Sequence, residues 1–288
     1  MLKNQGNLQL KKQLDEIIGI EPDEQLEKQI LRYYNVATAL KYLALASLAG
    51  AFVLGRVTGN SFVNYSLPFY VLVIVYYIYT RKFRSNIRSY QLDDCEPEKF
   101  LPVMRAFVCM GKRKKSRAQN FYNLINSLLL LGEDEKAEKC LELMDVYCDE
   151  KLALPLKHIL KMDLYLYRKD FESIASLYLE MQKMVFDKKV PQYLEMSYNM
   201  RISYFECTSL YLQKQYEGLL NLLENLKEDP RHHLGFVRVN YYKYVIATLL
   251  EDGEKAQQYR AYVLEHGGTT WYRKKCLESK DQGATENK

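Results

Sequence analysis

Val36-Ala37-Thr38-Ala39-Leu40-Lys41-Tyr42-Leu43-Ala44-Leu45-Ala46-Ser47-Leu48-Ala49-Gly50-Ala51-Phe52-Val53-Leu54-Gly55 is a run of twenty residues carrying one charge, Lys41. Arg56-Val57-Thr58-Gly59-Asn60-Ser61 comes next, and then residues 62–79 hold no charge in eighteen positions, densest from Tyr70 to Tyr79. At about 1.5 Å per residue, twenty helical residues cover roughly the 30 Å of a bilayer core. A link as short as the one between the two runs, with Gly59 and Asn60 to turn the backbone, makes antiparallel neighbours of the helices it joins. Residues 36–80 are therefore read as a transmembrane helical hairpin with spans at about 36–55 and 62–79. The competing reading is a buried hairpin in a soluble core, but such cores produce apolar runs of about 10 to 14 residues and seldom two of about twenty in succession.

The residues around the hairpin set its expected orientation. Lys28 and Arg32 precede it, Arg81, Lys82, Arg84 and Arg88 come after it, and the turn has Arg56 alone, so both ends face the cytoplasm. Tyr33, Tyr34, Tyr76, Tyr77 and Tyr79 fall at that same interface, where a phenol keeps its ring in lipid and its hydroxyl among headgroups. Lys41 lies close enough to the boundary to snorkel along its four-carbon stem. A cleaved signal peptide fits poorly, since 35 residues with six acidic side chains precede the run and no small-residue cleavage site comes after it. The expected location is the cell membrane, bacterial in type, crossed twice with both termini cytoplasmic. In the first span Ala46 and Gly50, and Ala51 and Gly55, are each four apart, which lets another helix approach closely.

Across the 288 residues the balance of charge is +5, unevenly spread: −1 over residues 1–35, +2 over 36–80, +7 over 81–117 and −3 over 118–288. A basic excess confined to the membrane-proximal part points to anionic lipid headgroups before nucleic acid. The six cysteines occur singly, without a C-x-x-C pair, and read as reduced thiols filling apolar space.

Residues 1–35 form an amphipathic helical segment broken at Glu21-Pro22. Leu8, Leu10, Leu14, Ile17 and Ile18 stripe the first part; after Pro22, Asp23 and Glu24 open a second helix that Leu26, Ile30, Leu31 and Tyr34 carry into the first span. The stripes leave open whether the segment lies on the bilayer or docks on the carboxy-terminal domain. A basic juxtamembrane linker, 81–96, comes after the hairpin.

From 97 to 278 the pattern changes to helix pairs, with 279–288 read as a disordered tail. Four turns mark the pairs: Leu131-Gly132-Glu133-Asp134-Glu135-Lys136-Ala137, Tyr167-Arg168-Lys169-Asp170-Phe171-Glu172-Ser173-Ile174, Leu212-Gln213-Lys214-Gln215-Tyr216-Glu217-Gly218-Leu219 and Leu250-Glu251-Asp252-Gly253-Glu254-Lys255-Ala256. With Ala137, Ile174, Leu219 and Ala256 as equivalents, the intervals are 37, 45 and 37 residues, a solenoid period. Phe121, Leu124, Leu128, Gly132, Ala137 and Leu141, and then Asp170-Phe171-Glu172, are where the chain resembles the tetratricopeptide repeat family. The family's first-helix Leu-Gly step is absent, and its register places Lys161, Glu206 and Lys243 at a usually buried position. Either the register slips by a residue or these are tetratricopeptide-like hairpins of their own kind.

The expected fold is thus all-α: a two-helix transmembrane hairpin followed by an α-solenoid of tetratricopeptide-like hairpins. The resemblance implies a concave side lined by the first helix of each pair, carrying Tyr122, Asn126, Asp163, Arg201, Tyr204, Tyr211, Arg238 and Tyr241. Tyrosine area and forked arginines there suit an extended or helical peptide with acidic groups, while plain core packing accounts for some of the 25 tyrosines. Lys112, Arg113, Lys114 and Lys115 sit in a loop near the membrane. The plainest reading is a solvated basic loop; among specific roles, lipid phosphate together with Arg81, Lys82, Arg84 and Arg88 comes before nucleic acid, because no aromatics are interleaved and the rest of the domain is acidic.

No cofactor or metal is expected. His232 and His233 are adjacent in a turn without Cys or carboxylate at zinc-ligand spacing. The chain has no phosphate-binding glycine loop, G-x-S-x-G or H-E-x-x-H, four histidines in all, and Asp93-Asp94 and Glu96 before Pro97 read as helix capping, so no catalytic residues are assigned. The expectation is a membrane-tethered cytoplasmic scaffold or adaptor for a protein partner. The alternatives are an accessory subunit of a membrane enzyme or transporter that packs through the hairpin, and a membrane-associated RNA-binding module.

Overall fold

A computed structural model describes residues 2–20, 23–110, 114–226 and 233–285, with side chains described over 7–20, 23–110, 116–226 and 233–279. The described residues are helical throughout, without a strand. They divide into two units, one from Met1–Glu21 with Tyr90–Lys288, the other Pro22–Ser89.

In the unit Pro22–Ser89, α2 (Glu24–Thr58) is a single helix of 35 residues; α1 (Leu2–Ile18) belongs to the other unit. Asp23 caps α2 by accepting the Leu26 N–H at 2.9 Å, and Gly59 ends it at φ +69°, a left-handed conformation that glycine adopts without strain. Among the described residues α2 is the one helix long and apolar enough to cross a membrane, and only 11% of its most apolar window is buried. The second expected span needs correction as a helix. Residues 62–65 form a 3-10 turn held by the Ser61 side chain, and α3 (Leu67–Leu92) begins at Leu67. The charge-free part of α3 is 67–80, about 21 Å of helix, before Arg81 and Lys82. The helix continues to Leu92, into the segment read as a linker, and Arg81, Lys82, Arg84 and Arg88 are exposed along it.

Ring contacts join α2 to the 3-10 turn and to α3. Tyr33 stacks on Phe83 at 3.7 Å and on Tyr79 at 5.6 Å, and Phe52 stacks on Phe62 at 4.7 Å. The small residues of α2 split into two sets. A Cβ on Gly55 would lie 3.0 Å from Phe62 Cα, so this glycine permits the close return, and Ala51 is buried too; no atom lies within 4 Å of a Cβ on Gly50, and Ala46 is exposed.

In the other unit, α1 docks on α4 (Pro97–Met110) and α6 (Asp134–Tyr147), which decides a question its stripe left open. Leu10 and Leu14 are fully buried and Ile18 nearly so. Asp15 accepts from Arg105 Nε at 2.6 Å, Asn7 from Arg117 at 2.7 Å, and Gln13 from the Tyr147 hydroxyl at 2.8 Å.

Next come α5 (Lys114–Leu131), α7 (Glu150–Arg168), α8 (Phe171–Phe186), α9 (Glu195–Leu212), α10 (Tyr216–Glu224), α11 (His233–Leu249), α12 (Gly253–His266) and α13 (Trp271–Thr285), the last running on past residue 278. All four marked turns join two helices with one geometry. At each, Gly132, Lys169, Lys214 or Glu251 has positive φ, and the next residue's N–H reaches back to the carbonyl of Leu128, Tyr165, Leu210 or Ala247. That residue then accepts the N–H of Ala137, Ile174, Leu219 or Ala256, so the four positions are structurally equivalent, and the first three are buried. The three charged residues that the family register buries are not buried: Glu206 is exposed, and Lys243 lies over the Tyr259 ring at 5.5 Å.

α5 packs on α7 and α7 on α9, but the array does not stay open, because α13 returns to pack against α5 and α11. Gly132 makes room for this: at φ +82°, its Cβ would lie 2.6 Å from the Trp271 ring. The loop before α13 also bonds to the segment before α4, Thr269 N–H to Cys95 carbonyl at 3.0 Å, and Cys95 is buried with Val237, Val263 and Cys276.

Candidate functional site

α5, α7, α9, α11 and α13, with Leu92 at the end of α3, line an open cavity of about 360 Å³. Five of the expected groove residues line it: Asn126, Asp163, Arg201, Tyr204 and Arg238. Arg201, 7% exposed, forks onto Asp163, with Nε to Oδ1 at 3.2 Å and Nη2 to Oδ2 at 2.8 Å. Both arginines face the Tyr204 ring, each guanidinium 5.7 Å from its centroid, an arrangement favoured by the ring's negative face. The Met200 sulfur sits between them, accepting from Arg201 Nη1 at 3.7 Å and Arg238 Nη2 at 3.6 Å. Burial opposes the Arg201 charge, and the Asp163 carboxylate outweighs it, holding the guanidinium's pKa well above its ordinary value.

The repeat does not place these partners at equivalent heights. Asp163 lies seven residues before the cap Asp170, whereas Arg201 lies fourteen before Gln215, two helical turns further from its turn. The long connection 187–194, in the 45-residue interval, separates the two registers.

Three expected groove residues have other settings. Tyr122 is half-buried one turn before Asn126, its phenol pushed up by burial although the Arg201 charge lowers it. Tyr241 packs against Trp271 and Tyr272, ring centroids 5.2 and 5.3 Å away, beside the Cys95 cluster. Tyr211 joins Phe171 and Tyr216 around Leu219 and Leu220. These last two are partly buried and pack against core clusters away from the hollow's lining. Tyr242, Trp271, Tyr272 and Met200 are lining residues that sequence reasoning missed. A lone Trp opening the last helix was the available signal, but its relevance depends on α13 folding back.

A second polar pair lies between α7 and α9. His158 Nδ1 and the Tyr198 hydroxyl are 2.5 Å apart, both buried, and Glu180 is 3.7 Å from Nε2. Burial lowers the His158 pKa against the opposing pull of Glu180.

Of the basic set, Lys112 and Arg113 lie outside the described residues, as does His232, and so do the side chains of Lys114 and Lys115. His233 stacks on His266 at 4.9 Å, and no group of three metal-ligating side chains is found among the described residues. Burial pushes the Cys95 and Cys140 thiols up to about 12, and those of Cys207 and Cys276 to about 11.

No family model matches the chain, and neither a curated protein nor a solved structure is significantly similar to it.

Proposed function

We propose that the protein is a two-pass membrane adaptor that holds a tetratricopeptide-like helical array at the cytoplasmic face for a protein partner. One observation carries the reading: α1 and α4 pack together in one unit, while the apolar residues 22–89 lie between them in sequence. Two pieces of one folded unit lie on the same side of a membrane, so the chain between them crosses an even number of times. If α2 crosses, the uncharged stretch 62–80 must bring the chain back, its 3-10 start included. The same packing argues against a removable leader, since cleavage after α2 would strip Leu10 and Leu14 from the core they fill. The low burial of α2 argues against a soluble core helix, whose apolar residues would be covered.

Partner binding draws support from the array's outward side. Leu179 and Phe186, two turns apart on one face of α8, are 66% and 87% exposed, and Tyr193 and Met196 are exposed in and just after the connection to α9. Leu179 and Phe186 share one face of α8, and exposed apolar side chains grouped on a face are the kind of surface a partner covers. A photocrosslinker at Phe186 or Met196, in membranes, should trap a partner that one at exposed Glu254 does not. Equal or absent trapping sinks the adaptor reading. For topology, a Cys placed at Asn60 should label with an impermeant reagent in intact cells, and protection there overturns the orientation.

A second reading rests on Ala46 and Gly50, whose side of α2 is uncovered. An accessory subunit would seat another protein's helix on it. In that case replacing residues 36–80 with an unrelated hairpin abolishes partner capture, whereas the adaptor retains it.

A further inference from the structure

We infer that the outward face of α3 binds an anionic phospholipid, with the headgroup on Arg81, Arg84 and Arg88 and an acyl chain along Tyr77, Ile74 and Tyr70. The inference rests on the two-pass reading, since it needs residues 67–80 within a bilayer.

Helix geometry gives the first reason. Tyr70, Ile74, Tyr77, Arg81, Arg84 and Arg88 follow one another at steps of four and three residues, so they form one stripe along α3, and all of them are exposed. Phe83 and Tyr79, which stack on Tyr33 of α2, lie on the other side of the helix. Charge gives the second. From Leu67 to Leu92 the helix contains no Asp or Glu, and among the described residues none of these arginines has a carboxylate within ion-pair distance. Phenols position them instead: Arg81 Nη1 donates to the Tyr77 hydroxyl at 3.2 Å, with the guanidinium 5.8 Å from that ring's centroid, and Arg84 sits beside the Tyr33 side chain. A neutral partner orients a guanidinium and leaves its charge for a phosphate.

Depth gives the third. Arg81 follows the charge-free part of α3 directly, and at about 1.5 Å per residue Arg84 and Arg88 stand about 4.5 and 10 Å further along the axis. The headgroup layer is roughly 5–7 Å deep, so Arg81 and Arg84 fall within it and Arg88 reaches its outer edge. Ile74 and Tyr70 lie about 10 and 16 Å the other way, along one leaflet's hydrocarbon. A soluble anion or an acidic protein segment would match only the arginine half of this stripe; an anionic head joined to an apolar chain matches both halves.

The test uses the full chain reconstituted in phosphatidylcholine bilayers, with Ile74→Trp as the reporter. Emission from Trp271, the one native tryptophan, is recorded in the unaltered chain and subtracted. Quenching by dibrominated phosphatidylglycerol and by dibrominated phosphatidylcholine, each diluted with its unbrominated form, gives the relative affinity of the two lipids beside residue 74. Phosphatidylglycerol should bind about fivefold or more tightly, the effect of roughly one basic residue at an anionic surface. Arg81→Gln/Arg84→Gln/Arg88→Gln should remove that preference. Lys139→Gln/Lys151→Gln/Lys183→Gln, the same loss of charge at exposed positions of the other unit, should keep it. Equal affinity of the two lipids, a preference that survives in the arginine variant, or one that falls as far in the lysine variant overturns the inference and leaves the two-pass reading standing. Quenching by neither lipid puts residue 74 outside the bilayer and refutes both.

Discussion

Leu14→Ala tests the packing on which the topology rests. Leu14 is fully buried where α1 meets α4 and α6, and truncating a fully buried leucine costs about 2–5 kcal/mol through lost transfer energy and the cavity left behind. For a unit of some 200 residues, each kcal/mol lowers the melting temperature by about 2–4 °C, so a mid-range cost of about 3 kcal/mol gives a drop of roughly 6–12 °C. Leu8, 70% exposed on the same helix, is the control, and Leu8→Ala should stay within about 0.5 kcal/mol of wild type. The assay is thermal unfolding of the full chain in micelles, paired with amide exchange of α1, whose protection should fall in the Leu14 variant and hold in the Leu8 variant. A shift no larger than the control's, with α1 exchanging at the wild-type rate, would mean that α1 is not seated. Nothing would then require an even number of crossings, and the leader-sequence reading of the apolar helix would return.

Individual contacts set other outcomes. His158 has a lowered pKa in the fold, so the unfolded chain binds its proton first, and its contribution to stability is intact above the ordinary value of 6.5 and declines as pH falls below it towards the depressed pKa. Urea midpoints measured across that range should show the decline in wild type and a flatter profile in His158→Phe. Gly132→Ala should cost about 2 kcal/mol or more, from the left-handed backbone and the displaced indole, and should shift Trp271 emission to the red. Asp163→Asn leaves Arg201 buried without its carboxylate and should destabilise by about 3 kcal/mol, with much of the loss recovered in the Asp163→Asn/Arg201→Met double variant on denaturant titration. Gly55→Leu removes the close approach to Phe62, so disulfide formation between cysteines placed at Phe52 and Phe62 should drop sharply, while a pair at Tyr33 and Phe83 should be less affected.

The helical turns and the apolar stretch were legible in the sequence because both depend on local chemistry. A run such as 36–55 needs no distant partner to be long and apolar, and a Schellman turn is written in the residues that form it, which is why the four marked turns fall where two helices join. The groove list came instead from the resemblance, which puts the first helix of each pair inside, and Asn126, Asp163, Arg201 and Arg238 do line one hollow. The choice of cavity over open groove was not local. It depends on Trp271 fitting over Gly132, some 140 residues away, and on Cys95 sinking among α11, α12 and α13. Tyr241 and Tyr211 pack against core clusters instead, Tyr241 on Trp271 and Tyr211 on Tyr216, since a residue's neighbours across helices come from how the helices pack rather than from their period. The sequence alone determined that this chain is helical, carries four like helix–helix turns and is interrupted by an apolar stretch. Only tertiary packing decided that α1 belongs to the unit that carries the four turns and that α13 folds back over that unit's inner face, because the neighbours of Leu14 and Trp271 come from surfaces distant in sequence.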